Sequence, residues 1–146
     1  MLLETMTDTT VNINPYGDSA LYIEFISTLE GFKTRCKNLH WSAPRKNIHV
    51  YLDEFLDIIS DYQDALAEDY MGILGKMPST CINGIAPMAS DPWGFINEIR
   101  EKTIKFYDSL PEGVVYVGIR SETETFIHNI NKYDYLFSLC KNHTVD

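Results

Sequence analysis

The chain has 146 residues, with 12 Lys plus Arg against 21 Asp plus Glu, so its net charge is −9. That length fits one domain and leaves little room for two. A hydrophobic content of 45% with 12% aromatics can build a core and excludes an intrinsically disordered chain, while the acidic balance argues against a nucleic-acid surface and leaves metal cations open.

Residues 1–17 are polar, rich in Thr and Asn, and end at Pro15-Tyr16-Gly17. They read as a flexible N-terminal arm, with 18–146 forming one helical domain. The start has no basic n-region and no apolar h-region, so no signal peptide is expected. No window approaches the ~18 apolar residues of a membrane span. Cys36, Cys81 and Cys140 are odd in number and form no CxxC pair, which argues against a zinc knuckle or a redox motif. They read as structural or idle thiols in a reducing compartment. The expectation is a soluble, cytoplasmic protein without membrane contact.

Asp18 and Ser19 offer caps for a first helix. Leu21, Tyr22, Phe25, Ile26, Leu29, Phe32, Cys36 and Leu39 recur at helical spacing along it, and Gly31 weakens its middle. Ser42-Ala43-Pro44 breaks it. A second helix is expected from about Arg45 to Leu74, stopped by Gly75 and Pro78. Ile48, Leu52, Phe55, Ile59, Tyr62, Leu66 and Ile73 form its apolar stripe. Residues 75–90 form a long crossover. Ser90 or Asp91 caps a third helix with Pro92 in its first turn; Phe95, Ile96, Ile99, Thr103, Phe106 and Tyr107 mark its inner face. Pro111-Glu112-Gly113 ends it, Val114–Val117 is a β-prone run, and a fourth helix reaches about Cys140 with Ile119, Phe126, Ile127, Ile130, Tyr133, Leu136, Phe137 and Leu139 apolar. The fold class is therefore all-α: a ferritin-like four-helix bundle whose second, long connection makes helices two and three parallel.

The second helix carries another stripe, His49, Asp53, Asp57, Ser60, Asp64 and Glu68. Its His49/Asp53 and Asp64/Glu68 pairs are each i, i+4, so their side chains stack on one face. Imidazole with carboxylates is a ligand set for iron, manganese or zinc. The same stripe also reads as the solvated face of an amphipathic helix. Two features favour a cation. No Lys or Arg lies between Asp53 and Tyr70, so Asp53, Glu54, Asp57, Asp61, Asp64 and Glu68 lack basic partners at i+4. Another imidazole, His40, closes the first helix.

Lys37-Asn38-Leu39-His40-Trp41, Ile48-His49, Asp53-Glu54-Phe55 and Asp64-Ala65-Leu66-Ala67-Glu68 together resemble the ferroxidase signature of the Dps-type mini-ferritins, the family of DNA-binding proteins from starved cells. The step from His49 to Asp64 is 15 positions and that to Glu68 four more, as in the family. The likeness covers roughly residues 20–75. It implies that His40, His49 and Asp53 bind iron from one subunit, that Asp64 and Glu68 do so from another, and that Trp41 sits beside them. It also implies Fe(II) oxidation by peroxide or oxygen, and a homo-oligomer, at least a dimer, rising in the family to a dodecameric shell that stores Fe(III). The His40–His49 loop is three residues shorter than the family pattern and contains Pro44, with Arg45 and Lys46 as candidate partners for the acids. The arm has no lysine run, so no direct DNA binding is expected.

Helix geometry agrees with sharing between subunits. His49 and Glu68 are 19 residues apart, about 28 Å at ~1.5 Å per residue, beyond the reach of one ion. Two antiparallel copies of the second helix, crossing near Ile58 and Ile59, would form two equal sites. An intrabundle site from Glu124 and His128 is disfavoured because the second helix has no Glu-x-x-His. Two rivals stand beside the iron reading: a structural or assembly protein that keeps fold and interface, and a helical ligand-binding domain with merely solvated acids.

Overall fold

A computed structural model describes residues 19–141 of the chain. The expected arm and Asp18 lie outside those residues. Four helices make up most of the described chain: α1 Ser19–Trp41, α2 Lys46–Leu74, α3 Pro92–Ser109 and α4 Val117–Cys140. There is no strand among the described residues. The β-prone run instead forms a 3-10 turn, Val114–Tyr116, that leads straight into α4. Gly113, at φ +127°, turns the chain just before it. Val114, Val115 and Val117 then face solvent and only Tyr116 is buried. With no neighbouring strand to pair with, β propensity has nothing to act on.

The helix ends follow local chemistry. Pro44 lies in the short link after α1, and Arg45 is the extended N-cap residue of α2. Arg45 makes no side-chain cap; its Nη2 donates to the Cys140 carbonyl at 2.7 Å and ties the start of α2 to the end of α4. α2 stops at Gly75, whose φ of +95° suits glycine and whose N–H bonds to the Met71 carbonyl. Asp91 caps α3 by accepting the Gly94 N–H at 2.8 Å, with Pro92 as the first helical residue.

Packing runs α1–α2, α2–α4, α4–α3 and α3–α1. Contacts fix the directions of these neighbours. On α1 and α2 the pairs are His40 with His49, Cys36 with Leu52 and Ile26 with Gln63, so one helix rises as the other falls. The same opposition holds for α2 and α4, where Tyr51 meets Tyr133 and Tyr62 meets Thr123. It holds for α3 and α4, where Trp93 donates to the Phe137 carbonyl and Tyr107 bonds Glu124. On α1 and α3, Phe32 meets Phe95 and Phe25 meets Phe106.

The core is aromatic. Phe25 stacks on Phe106 and Tyr62 on Phe126, both with centroids 4.2 Å apart. Fully burying one such side chain contributes about 1.5–3 kcal/mol. The inner positions expected on each helix are buried, except that Leu21, Ile73, Tyr107, Ile127 and Leu136 are half-buried and Leu139 is exposed. Tyr70 joins the core in addition.

The connection between α2 and α3 is strapped to α1. The Ile85 N–H donates to the Ser27 carbonyl at 3.0 Å, and the Asn83 N–H reaches the Ser27 hydroxyl at 3.3 Å. A Cβ on Gly31 would lie 1.8 Å from the Ile85 carbonyl oxygen. The glycine that weakens α1 by propensity is the one residue that lets this strap sit down.

Candidate functional site

His40, in the last turn of α1, and His49, in the first turn of α2, are brought together by the antiparallel hairpin. Their rings stack with centroids 3.7 Å apart and planes 20° apart. Nδ1 of each ring lies 2.7 Å from the other residue's backbone carbonyl oxygen. A carbonyl can only accept, so both Nδ1 atoms carry the hydrogen. In the neutral rings this leaves both Nε2 lone pairs open, the arrangement that orients imidazoles as metal ligands. Asp53 stands one turn after His49, and its Oδ1 is 3.9 Å from His40 Nε2. The Asp53 side chain is 64% exposed and that of His40 only 15%. Trp41, next to the pair, is 71% exposed. Arg45 does not neutralise the acids here, because Cys140 holds it.

The chain does not bring Asp64 and Glu68 to this point. Both are exposed further along α2, the nearer about 22 Å from His49 along the helix axis. Asp64 lines a groove with Glu30, Lys33 and Gln63 of the α1–α2 face. Among the described residues no three of His, Cys, Asp or Glu gather as a metal group. Ile59 is fully buried in its own core, so of the two residues expected at a dimer seam only Ile58 reaches the outside.

The acidic stripe keeps its excess charge. Among the described residues no Lys or Arg forms an ion pair with Asp53, Glu54, Asp57, Asp61, Asp64 or Glu68. Glu54 serves packing instead: it accepts from the Tyr133 hydroxyl at 2.9 Å. Burial first, then that bond, push Tyr133 up to about 12. On α4, Glu124 accepts from Tyr107 and His128 is exposed, which fits a structural or surface histidine.

Cys36, Cys81 and Cys140 form no disulfide. Cys36 is buried and its Sγ donates to the Leu52 carbonyl at 3.3 Å. Burial, followed by the Asp53 charge, pushes it up to about 12. Such a thiol is a packing group rather than a nucleophile. Cys140 is buried as well, and Cys81 is half-exposed.

Sequence reasoning missed one cluster. Asp69 on α2 and Glu122 on α4 lie within hydrogen-bonding reach of each other. The Asp69 bond first, then burial and the charges of Asp69 and Glu68, push Glu122 up to about 7. The two acids are 53 positions apart, a separation no motif spacing reports. The available signal was that each directly precedes an inward position, Tyr70 and Thr123. Comparison of this chain with protein-family models, curated proteins and solved structures found no match.

Proposed function

We propose that this protein is a Dps-like iron oxidase and store, with each site shared between two copies of the chain. The observation that carries this reading is the His40–His49 brace. Each ring fixes the other's tautomer and leaves Nε2 available, with the Asp53 carboxylate close by. One copy would offer His40, His49 and Asp53 to ferrous iron; Asp64 and Glu68 would come from a second copy. Iron is the substrate here. Two ferrous ions give one electron each; hydrogen peroxide takes both with two protons, its O–O bond breaks, and two waters leave. Carboxylates favour the ferric product, and the unpaired acids of α2 draw ferrous ions toward the protein.

Helix directions support the ferritin-like part of the reading. α2 and α3 both oppose α1, as a long crossover between two parallel helices requires. The exposed Trp41 beside the His pair is consistent with a partner surface there.

A second reading has its own observation. Among the described residues of one chain no three of His, Cys, Asp or Glu gather as a metal group, and the His pair also works as a clasp between α1 and α2. On that reading the protein is an assembly module that keeps the interface and oxidises no iron.

One experiment separates them. Metal-free protein is sized by native mass, then given Fe(II) with peroxide while ferric absorbance is followed. Fast oxidation by an oligomer, lost in His49→Ala and in Glu68→Ala, supports the oxidase. An oligomer with no oxidation above buffer supports the assembly module. Mixed dimers of His49→Ala and Asp64→Ala chains should keep one intact site; loss of all activity in them would sink the shared-site model.

A further inference from the structure

The Asp69–Glu122 cluster lies inside one protomer, apart from the histidines. Oδ2 of Asp69 and Oε1 of Glu122 are removed from solvent and have no hydrogen-bond donor. Two facing carboxylates repel unless something positive stands between them. Among the described residues no Lys or Arg pairs with either acid. A second observation comes from α1. Tyr22 is 1% exposed, its hydroxyl has no hydrogen-bond partner, and Asp69 and Tyr116 are its polar neighbours. Asp69 of α2 thus faces Glu122 of α4 on one side and has the buried, unpartnered Tyr22 hydroxyl of α1 as a polar neighbour on the other. Buried polar atoms left open in this way ask for an ion or an ordered water.

We propose that Asp69 and Glu122, with the Tyr22 hydroxyl, bind one hard divalent cation within each protomer. Two carboxylates balance its charge, and the phenol oxygen adds a neutral ligand. A site made only of oxygen suits calcium, magnesium or manganese rather than a metal seeking nitrogen or sulfur. There is a way in. Glu122 also lines a groove of about 300 Å³ between α2 and α4, with Asp61 and Ser121 along it, which brings solvent to the Glu122 side of the pair. The cation would cross-link the end of α2 to the start of α4, at the opposite end of α2 from the His40–His49 pair. The proposal does not depend on the iron reading.

The test uses full-length protein stripped with a chelator. Terbium(III) is titrated in and its luminescence is excited through tyrosine; calcium then competes. The expected result is saturable luminescence that weakens roughly tenfold or more in affinity in Asp69→Asn and in Glu122→Gln, dims in Tyr22→Phe, and persists in His49→Ala. Binding unchanged in both carboxylate variants overturns the proposal, as does binding lost in His49→Ala alone. A further readout guards against misfolding. Saturating calcium or manganese should raise the wild-type thermal midpoint and leave that of the near-isosteric Glu122→Gln unmoved. A wild-type midpoint that no divalent cation shifts also overturns the proposal and leaves an internal water as the occupant.

Discussion

His40 and His49 hold each other by a reciprocal pair of hydrogen bonds, each Nδ1–H reaching the other's carbonyl at 2.7 Å across rings stacked at 3.7 Å. The expected consequence is a single tautomer for both rings. Nitrogen-15 spectra of the imidazoles should show hydrogen on Nδ1 and a bare Nε2 at both residues in their neutral forms. Hydrogen on either Nε2 would contradict the brace. His49→Ala removes one of the two bonds and the stack, and should cost about 1–2 kcal/mol in urea unfolding.

Gly31→Ala tests the strap. Alanine gains about 1 kcal/mol of helix propensity over glycine. Its Cβ would collide with the Ile85 carbonyl at 1.8 Å, and overpacking of this kind costs about 1–3 kcal/mol. The collision is with backbone, which cannot swing aside as a side chain does. We expect a net loss of stability and faster proteolysis within 76–90. A stabilised variant would show that the strap is loosely held.

The pH dependence of metal-free protein should carry two slopes of opposite sign. Glu122 is raised in the folded state to about 7 from an ordinary 4.5. The folded protein therefore binds this proton more tightly, and its contribution to stability is full below 4.5 and fades as pH rises toward 7. Glu30 behaves in the opposite way. The Gln63 amide at 3.0 Å, helped by Lys33, holds its carboxyl below the ordinary value. Its contribution is present above 4.5 and is lost as pH falls through its lowered value. Thermal midpoints of Glu122→Gln should lack the decline between 4.5 and 7 and keep the acid-side loss. Glu30→Gln should do the reverse.

Thiol labelling should rank the cysteines. Cys81 is half-exposed and should react first with a maleimide in native protein. Cys36 and Cys140, both buried, should wait for unfolding. Rapid native labelling of Cys36 would mean that the α1–α2 hairpin opens readily.

Much of the helical architecture was legible because each end had a local cause: Pro44 after α1, Gly75 after α2, Asp91-Pro92 before α3. The inner faces were legible because Phe25, Phe55, Phe95 and Phe126 repeat at helical spacing with their neighbours. Val114–Val117 kept its β preference without forming a strand, because β-branched residues report a preference while a strand also needs a partner. The site was legible only in halves. His40, His49 and Asp53 meet because a hairpin joins them, and hairpins follow from short links. Asp69 and Glu122 meet because α2 packs on α4, which no residue spacing encodes. Nor could spacing reveal the role of Gly31, since it is set by a backbone 54 positions away.

That strap has a kinetic consequence. The Ile85 amide sits on an exposed connecting segment, yet its hydrogen goes to a carbonyl in the body of α1. To release it, the whole connection must lift off the glycine. Ile85 should therefore exchange its amide hydrogen with solvent on the slow timescale of the surrounding helices, reporting the cooperative opening that separates one helical hairpin from the other.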